Sequence, residues 1–192
     1  MPRIFIAIPI PNKIKQRISQ EILSDKTFSN LRIRWVQPKN LHITLKFLGE
    51  TPSERIPALI AAMQATAAQT DPFSIRLEKG GVFPNRQKPK VVWIDIEPPA
   101  PLLKIWQTLE TNASKNGFPR DTKPLKAHLT LGRIADSHVE TEKTRIGPLL
   151  DAASTLQLPI FEVNQIQLIQ STLSPQGAEY SLLHQEVIGL QA

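Results

Sequence analysis

Histidine followed two places later by threonine occurs twice in this chain, each time in an apolar frame: Leu41-His42-Ile43-Thr44-Leu45 and Ala127-His128-Leu129-Thr130-Leu131. In an extended strand alternate side chains share a face, so His42 and Thr44 point one way while Leu41, Ile43 and Leu45 point into a core. His128 and Thr130 are set the same way. Two imidazoles with ordinary pKa values of about 6.5 can divide proton work at neutral pH, one as base and one as acid, each role being worth roughly 10²- to 10⁴-fold in rate. Such a pair suits phosphodiester cleavage: one ring takes a proton from an attacking water or hydroxyl, and the other gives one to the leaving oxygen. The threonine hydroxyls can donate to non-bridging phosphate oxygens as charge grows on them. The near identity of the two motifs leaves open which histidine is acid and which is base.

Arg133 lies five residues past His128, so an ideal strand turns it to the opposite face. Only a bulge or the strand's end would bring it to the phosphate. By the same alternation Lys46 shares the face of His42 and Thr44, and Phe47 falls on the core side. Basic residues gather near both motifs, with Arg32, Arg34, Lys39 and Lys46 by the first and Arg120, Lys123, Lys126 and Arg133 by the second. Lys46 and Lys126 are candidates for nucleic-acid phosphate contacts, and Trp35 and Phe83 for stacking on a base. Neither motif has the further His, Cys or carboxylate that a hydrolytic metal site of three protein ligands requires, so no metal is expected. A glycine-rich loop ending in Gly-Lys-Ser/Thr is also absent, and no cofactor is expected. His138 falls in a polar stretch and reads as solvated; His184 reads as structural.

At 192 residues, 41% of them hydrophobic, the chain can bury a core of ordinary size. It has no cysteine, which removes disulfides and thiolate ligands and fits a cytoplasmic protein. Lysine and arginine number 23 against 17 aspartates and glutamates, a net +6 that favours a polyanionic partner. No apolar run approaches the roughly 20 residues that span a bilayer. The opening run stops at Pro9, too short for a secretory signal and better read as a buried strand.

The elements that must position the motifs follow from periodicity. Arg3 to Ile8 reads as a strand covered on both faces. Asn12 is placed to cap a helix carrying Ile14, Ile18 and Ile22. Leu31 to Val36 alternates as a half-buried strand and turns at Gln37-Pro38-Lys39-Asn40 into the first motif strand, which runs to Gly49. Ser53 caps a second helix that keeps its period to Gln69. Phe73 to Leu77 alternates, Gly80-Gly81 marks a bulge or bend, and Lys90 to Ile96 is a strand. Pro98, Pro99 and Pro101 mark a crossover, and a third helix follows, closed by Asn116-Gly117. The second motif strand runs from about Lys126 to Ile134, and 135–142 reads as a mobile polar loop. A short helix near 149–153 and strands at 159–163, 165–171 and 180–187 complete the chain, with Ser174-Pro175-Gln176-Gly177 as the last turn. The second half echoes the first, as in a duplicated α+β architecture with two antiparallel sheets facing a central cleft and helices outside.

These motifs, with Arg3-Ile4-Phe5-Ile6-Ala7-Ile8-Pro9, Trp35-Val36-Gln37-Pro38-Lys39-Asn40 and Gly81-Val82-Phe83-Pro84, resemble the two-histidine phosphoesterase superfamily. Within it the chain most resembles the RNA 2′,3′-cyclic phosphodiesterases, first described as 2′-5′ RNA ligases, and the likeness extends down to Ser171-Thr172-Leu173 and Gly177-Ala178-Glu179-Tyr180. The resemblance implies one domain over residues 1–192, made of two pseudo-symmetric lobes with the crossover near 97–101, that acts as a monomer without metal. It implies that an RNA 2′,3′-cyclic phosphate end is opened to a 2′-phosphomonoester, with His42 as proton donor, His128 as proton acceptor, and Thr44, Thr130 and Arg133 binding the phosphate. The alternatives are a 2′-5′ RNA ligase and an RNA-binding protein with a vestigial site. One departure is visible: family members often have an aromatic residue and then Arg-Pro before the second histidine, where this chain has Leu125-Lys126-Ala127.

Overall fold

The computed structural model describes residues 3–174 and 177–189. The turn expected over Ser174 to Gly177 therefore falls partly on Pro175 and Gln176, outside the described residues. Strand β1 (Arg3–Pro9) sends Ile4, Ile6 and Ile8 into the main core, while Phe5 and Ala7 join Ile169 and Tyr180 in a smaller apolar cluster. Proline ends it, and α1 (Asn12–Ile18) follows, with Pro11 rather than Asn12 at the cap. A π-helical turn, Ser19–Leu23, extends α1 and still buries Ile22 alongside Ile14 and Ile18. The short strand β2 (Ile33–Trp35) leads through a 3₁₀ turn at Pro38–Asn40 into β3 (His42–Glu50), the first motif strand.

Ser53 opens a 3₁₀ turn rather than capping a helix, and α2 (Ile56–Ala67) begins behind it. The alternating run after Phe73 divides into β4 (Phe73–Ile75) and β5 (Leu77–Phe83), followed by β6 (Val91–Ile96). Helix α3 (Ala100–Lys115) ends at Gly117, whose φ of 78° closes it in the left-handed region that glycine tolerates. The second motif strand is β7 (His128–Ile134). The stretch expected as a mobile loop is a 3₁₀ turn and a short helix, α4 (Val139–Glu142), because Val139 and Glu142 are buried. Helix α5 (Gly147–Thr155) and strands β8 (Phe161–Val163), β9 (Gln165–Ser174) and β10 (Gly177–Val187) complete the order.

The fold is α+β, with a large antiparallel sheet and a small one. Among the described residues the large sheet runs β10-β9-β1-β3-β7-β6-β5, with β2 on β7, and β4 pairs β8 in the small sheet. The strands of the two halves join between β3 and β7 at one ladder pair, Ile43 opposite Leu129. Both residues are fully buried, so the join is anchored from the core side while the motif side chains of β3 and β7 lie on the opposite face. Helix α5 packs closely on β5, where a side chain at Gly80 would meet Ala153 Cβ at 2.7 Å.

Candidate active site

Each motif strand carries an extra residue at the same place, and β3 carries a second at Leu48. Against β1, Ala7 pairs Thr44 and Ile6 pairs Lys46, so Leu45 is skipped; against β6, Trp93 pairs Thr130 and Val92 pairs Gly132, so Leu131 is skipped. A bulge of this kind shifts by one the alternation of the residues that follow it, up to any further bulge. Lys46 is turned into the core, where it is 2% exposed, and Phe47 is turned out, where it is 65% exposed. Both positions are the reverse of those expected from simple alternation. The same shift turns Arg133 out, onto the face of His128 and Thr130.

The ladder pair Ile43–Leu129 sets the motifs antiparallel. Continuing that register puts Thr130 beside His42 and Thr44 beside His128, so the two imidazoles and two hydroxyls alternate around one patch. The rings are held alike. His42 Nδ1 is 2.6 Å from the Asn40 carbonyl and His128 Nδ1 is 2.6 Å from the Lys126 carbonyl. A carbonyl oxygen only accepts, so each Nδ1 carries a hydrogen and donates, which leaves each Nε2 as the working nitrogen of the neutral ring. His42 Nε2 lies 3.1 Å from Thr44 Oγ1, whose hydroxyl can donate to it. The Asn40 side chain in turn donates to the Ala178 carbonyl at 2.8 Å, which fixes the turn before His42 to β10.

Aromatic rings wall both histidines. Phe5 stacks on His42 at 4.8 Å between centroids, and Tyr180 meets it edge-on at 5.4 Å. Phe83 meets His128 edge-on at 5.0 Å, with Trp93 behind at 6.4 Å. This apolar packing disfavours the imidazolium. Burial pushes His42 down from its usual 6.5 to about 4, opposed by the bond to Asn40 and helped by the charges of Lys15 and Arg133. His128 is also lowered, chiefly by burial and then by Arg133, while the Asp95 carboxylate pulls the other way. Asp95 is its cross-strand partner on β6. Burial raises the Tyr180 phenol and Arg133 opposes that rise, so one guanidinium bears on Tyr180 and on both imidazoles. A cavity of about 220 Å³ beside His42 is lined by Lys15, Lys39, Asn40 and Tyr180 among others.

His42, Thr44, His128, Thr130 and Arg133 thus come together on one face. Of the four side chains expected to touch RNA, Phe83 and Lys126 adjoin the site, the Lys126 ammonium lying 4.7 Å over the Phe83 ring. Lys46 does not reach it. Its ammonium bonds Glu110 at 2.6 Å and the Pro119 carbonyl at 2.9 Å inside the protein. Trp35 also does not, being packed against the main core next to Gly132, where a Cβ would strike Ile33 at 2.4 Å. Sequence reasoning missed Phe5, Tyr180, Trp93 and Asp95. The signal for Asp95 was its place on the half-exposed face of β6, and Phe5 and Tyr180 lay within stretches singled out for other reasons. Among the described residues no three of His, Cys, Asp or Glu gather as a group that could hold a metal ion. No helix among them is long and apolar enough to cross a membrane.

Paired imidazoles and hydroxyls with an arginine bearing on both rings are the arrangement expected of a two-histidine phosphoesterase. The family model of the LigT-like phosphoesterases matches residues 8–93, which include the first motif. An RNA 2′,3′-cyclic phosphodiesterase of Archaeoglobus fulgidus is 32% identical over 178 residues, 93% of this chain and 96% of its own length. Another, of Aquifex aeolicus, is 31% identical over 93% of this chain and 91% of its own. Among solved structures, a Thermus thermophilus protein superposes with a TM-score of 0.75 at 26% identity over 97% of both chains. E. coli LigT crystallised with 3′-AMP superposes with a TM-score of 0.72 at 25% identity, over 99% of this chain and all of its own. The chain belongs to the RNA 2′,3′-cyclic phosphodiesterase family of LigT-like enzymes.

Proposed function

We propose that the protein hydrolyses RNA 2′,3′-cyclic phosphate ends to 2′-phosphomonoesters, without metal, through the histidine pair. His128 Nε2 takes a proton from water as its oxygen attacks phosphorus. The bond from phosphorus to the 3′ oxygen breaks, and His42 Nε2 gives that oxygen its proton, leaving a 3′-hydroxyl and a 2′-phosphate. Exchange with solvent then returns each ring to its starting state. Thr44 and Thr130 donate to the non-bridging oxygens, and Arg133 balances the charge that accumulates on them. Burial holds His42 well below its usual value in the free protein, so the bound phosphate anion must raise it before it can serve as donor, which an anion placed between the two rings does by direct attraction. The chain works here as one domain of two lobes, active as a monomer in the cytoplasm on RNA or oligonucleotide ends.

The observation that carries this reading is the placement of both histidines on one face by the Ile43–Leu129 register, with Arg133 turned onto that face by the bulge at Leu131. The family membership supports the substrate, since the relatives from A. fulgidus and A. aeolicus are named for that reaction. The test is terminal-phosphate analysis of RNA with a 2′,3′-cyclic end after incubation in EDTA. A 2′-phosphate product is expected. A 2′-5′ linked product, or recovery of the cyclic end unchanged, would overturn the proposal.

A further inference from the structure

Beyond the histidines the cleft face continues over β2, β7 and β6 as an open groove of about 750 Å³, bordered by Arg32, Arg34, Lys90, Arg133, Asp136 and His138. Its charges are not balanced. Lys90 is bonded to the groove's one carboxylate, Asp136, at 2.8 Å. Among the described residues no carboxylate stands within ion-pair distance of Arg32, Arg34 or Arg133. Arg34 and Arg133 are moreover direct cross-strand partners in the β2–β7 ladder, side chains on the same face. Opposed like charges destabilise a sheet, and Cα atoms in such a pair are only about 4.5 to 5.5 Å apart. The arrangement becomes favourable once an anion lies between or beside the guanidiniums. Arg32 stands two residues before Arg34 and is likewise exposed, so the positive row runs on from Arg133, away from the histidines.

We propose that this groove is a second phosphate subsite, which receives the phosphodiester on the 5′ side of the cyclic end. The inference rests on the function proposed above. In that substrate the terminal phosphate is taken up in the ring, so the next anion along the strand is the 5′ phosphodiester. Arg133 then stands between two phosphates, touching the reacting one, while Arg34 and Arg32 hold the next. The enzyme would thus favour a strand of at least two nucleotides over a cyclic mononucleotide.

The experiment compares kcat/KM for a dinucleotide ending in a 2′,3′-cyclic phosphate with kcat/KM for a nucleoside 2′,3′-cyclic phosphate, in wild type and in R32A/R34A. Both arginines are exposed, and circular dichroism and Tm check that the variant folds; Arg34→Gln is the milder second variant. The wild type should favour the dinucleotide by about tenfold or more, the scale of one charged hydrogen bond. In R32A/R34A that ratio should fall toward one, and the slope of log affinity against log salt for the dinucleotide should shrink by about 0.7 for each phosphate no longer neutralised. A ratio near one in wild type, or one unchanged in both variants, overturns the subsite. If neither substrate is opened even by wild type, the catalytic reading has failed rather than this one. The subsite is then judged by the same ratio in binding, using a dinucleotide and a mononucleotide that each carry an open 3′-phosphate.

Discussion

His42 and His128 stand at matching places in two nearly identical strands, with the same carbonyl partner two residues back and the same bulge three residues on, yet their neighbours differ. His42 is enclosed by Phe5 and Tyr180, with the charge of Lys15 bearing on it as well as that of Arg133. His128 has Phe83 and Trp93 but also a carboxylate across the strand, Asp95. After the bulge the strands diverge further: Lys46 takes the inward place in one where Gly132 takes it in the other, and Phe47 takes the outward place held by Arg133. Repetition therefore supplies the geometry, two rings and two hydroxyls about one centre. Substitution around the repeat supplies the asymmetry that acid and base roles require. The first strand buries its basic residue in an ion pair, and the second turns its own outward onto the face of the histidines.

The largest effect should come from deleting either half of the pair. His42→Ala and His128→Ala should each lower kcat/KM by about 10²- to 10⁴-fold. The double variant should be little worse than the worse single one, because residues acting in one displacement do not contribute additively. Substrate binding, measured by anisotropy, should persist in all three.

The inward places should separate by stability. Lys46→Ala leaves Glu110, with a side chain 6% exposed, without its cation. Breaking a buried pair in this way costs about 3 to 5 kcal/mol, read from urea midpoints. It also removes the Lys46 bond to the Pro119 carbonyl at 2.9 Å, one tie on the segment that precedes His128. The outward places should separate by rate. Arg133→Ala should lower kcat/KM by about 10²- to 10³-fold, as for loss of one donor to a developing oxyanion, whereas Phe47→Ala should change it little.

A smaller effect is expected in the pH dependence of stability. Both rings are held below 6.5, His42 at about 4, so between these values the unfolded chain binds protons that the folded chain does not. Their contribution is fully present above pH 6.5 and is lost as pH falls through about 4. His42→Asn should flatten the slope of urea midpoint against pH in that window relative to wild type.

Much of the site was legible in the sequence. The repeated frame located four of its five residues, and alternation gave them the right face. The bulges were not legible, because a skipped residue is defined by its cross-strand neighbour and Leu45 and Leu131 look like ordinary core positions. That one missing fact misplaced Lys46 and Phe47 and left Arg133 on the wrong side. Phe5 and Tyr180 could not be joined to His42 from sequence either, since their meeting depends on β1 lying between β3 and β9 and on the bond from Asn40 to Ala178. The helices and strands were found by period, with errors at the ends: Asn12 and Ser53 look like caps but lie where the chain has already begun to coil. The stretch 135–142 looked loop-like because its composition is polar, and its short helix depends on burying Val139 and Glu142.

The most direct test of the divided pair is the pH profile of kcat/KM on a 2′,3′-cyclic substrate for wild type and each single alanine variant. Wild type should give a bell whose maximum lies on the acid side of neutrality, with limbs that belong to the pair. Without the donor, His42→Ala should lose the basic limb and gain activity steadily with pH; without the acceptor, His128→Ala should lose the acidic limb. A variant that keeps both limbs at near-full rate would contradict the pair, and limbs lost in the opposite order would contradict the roles given to His42 and His128.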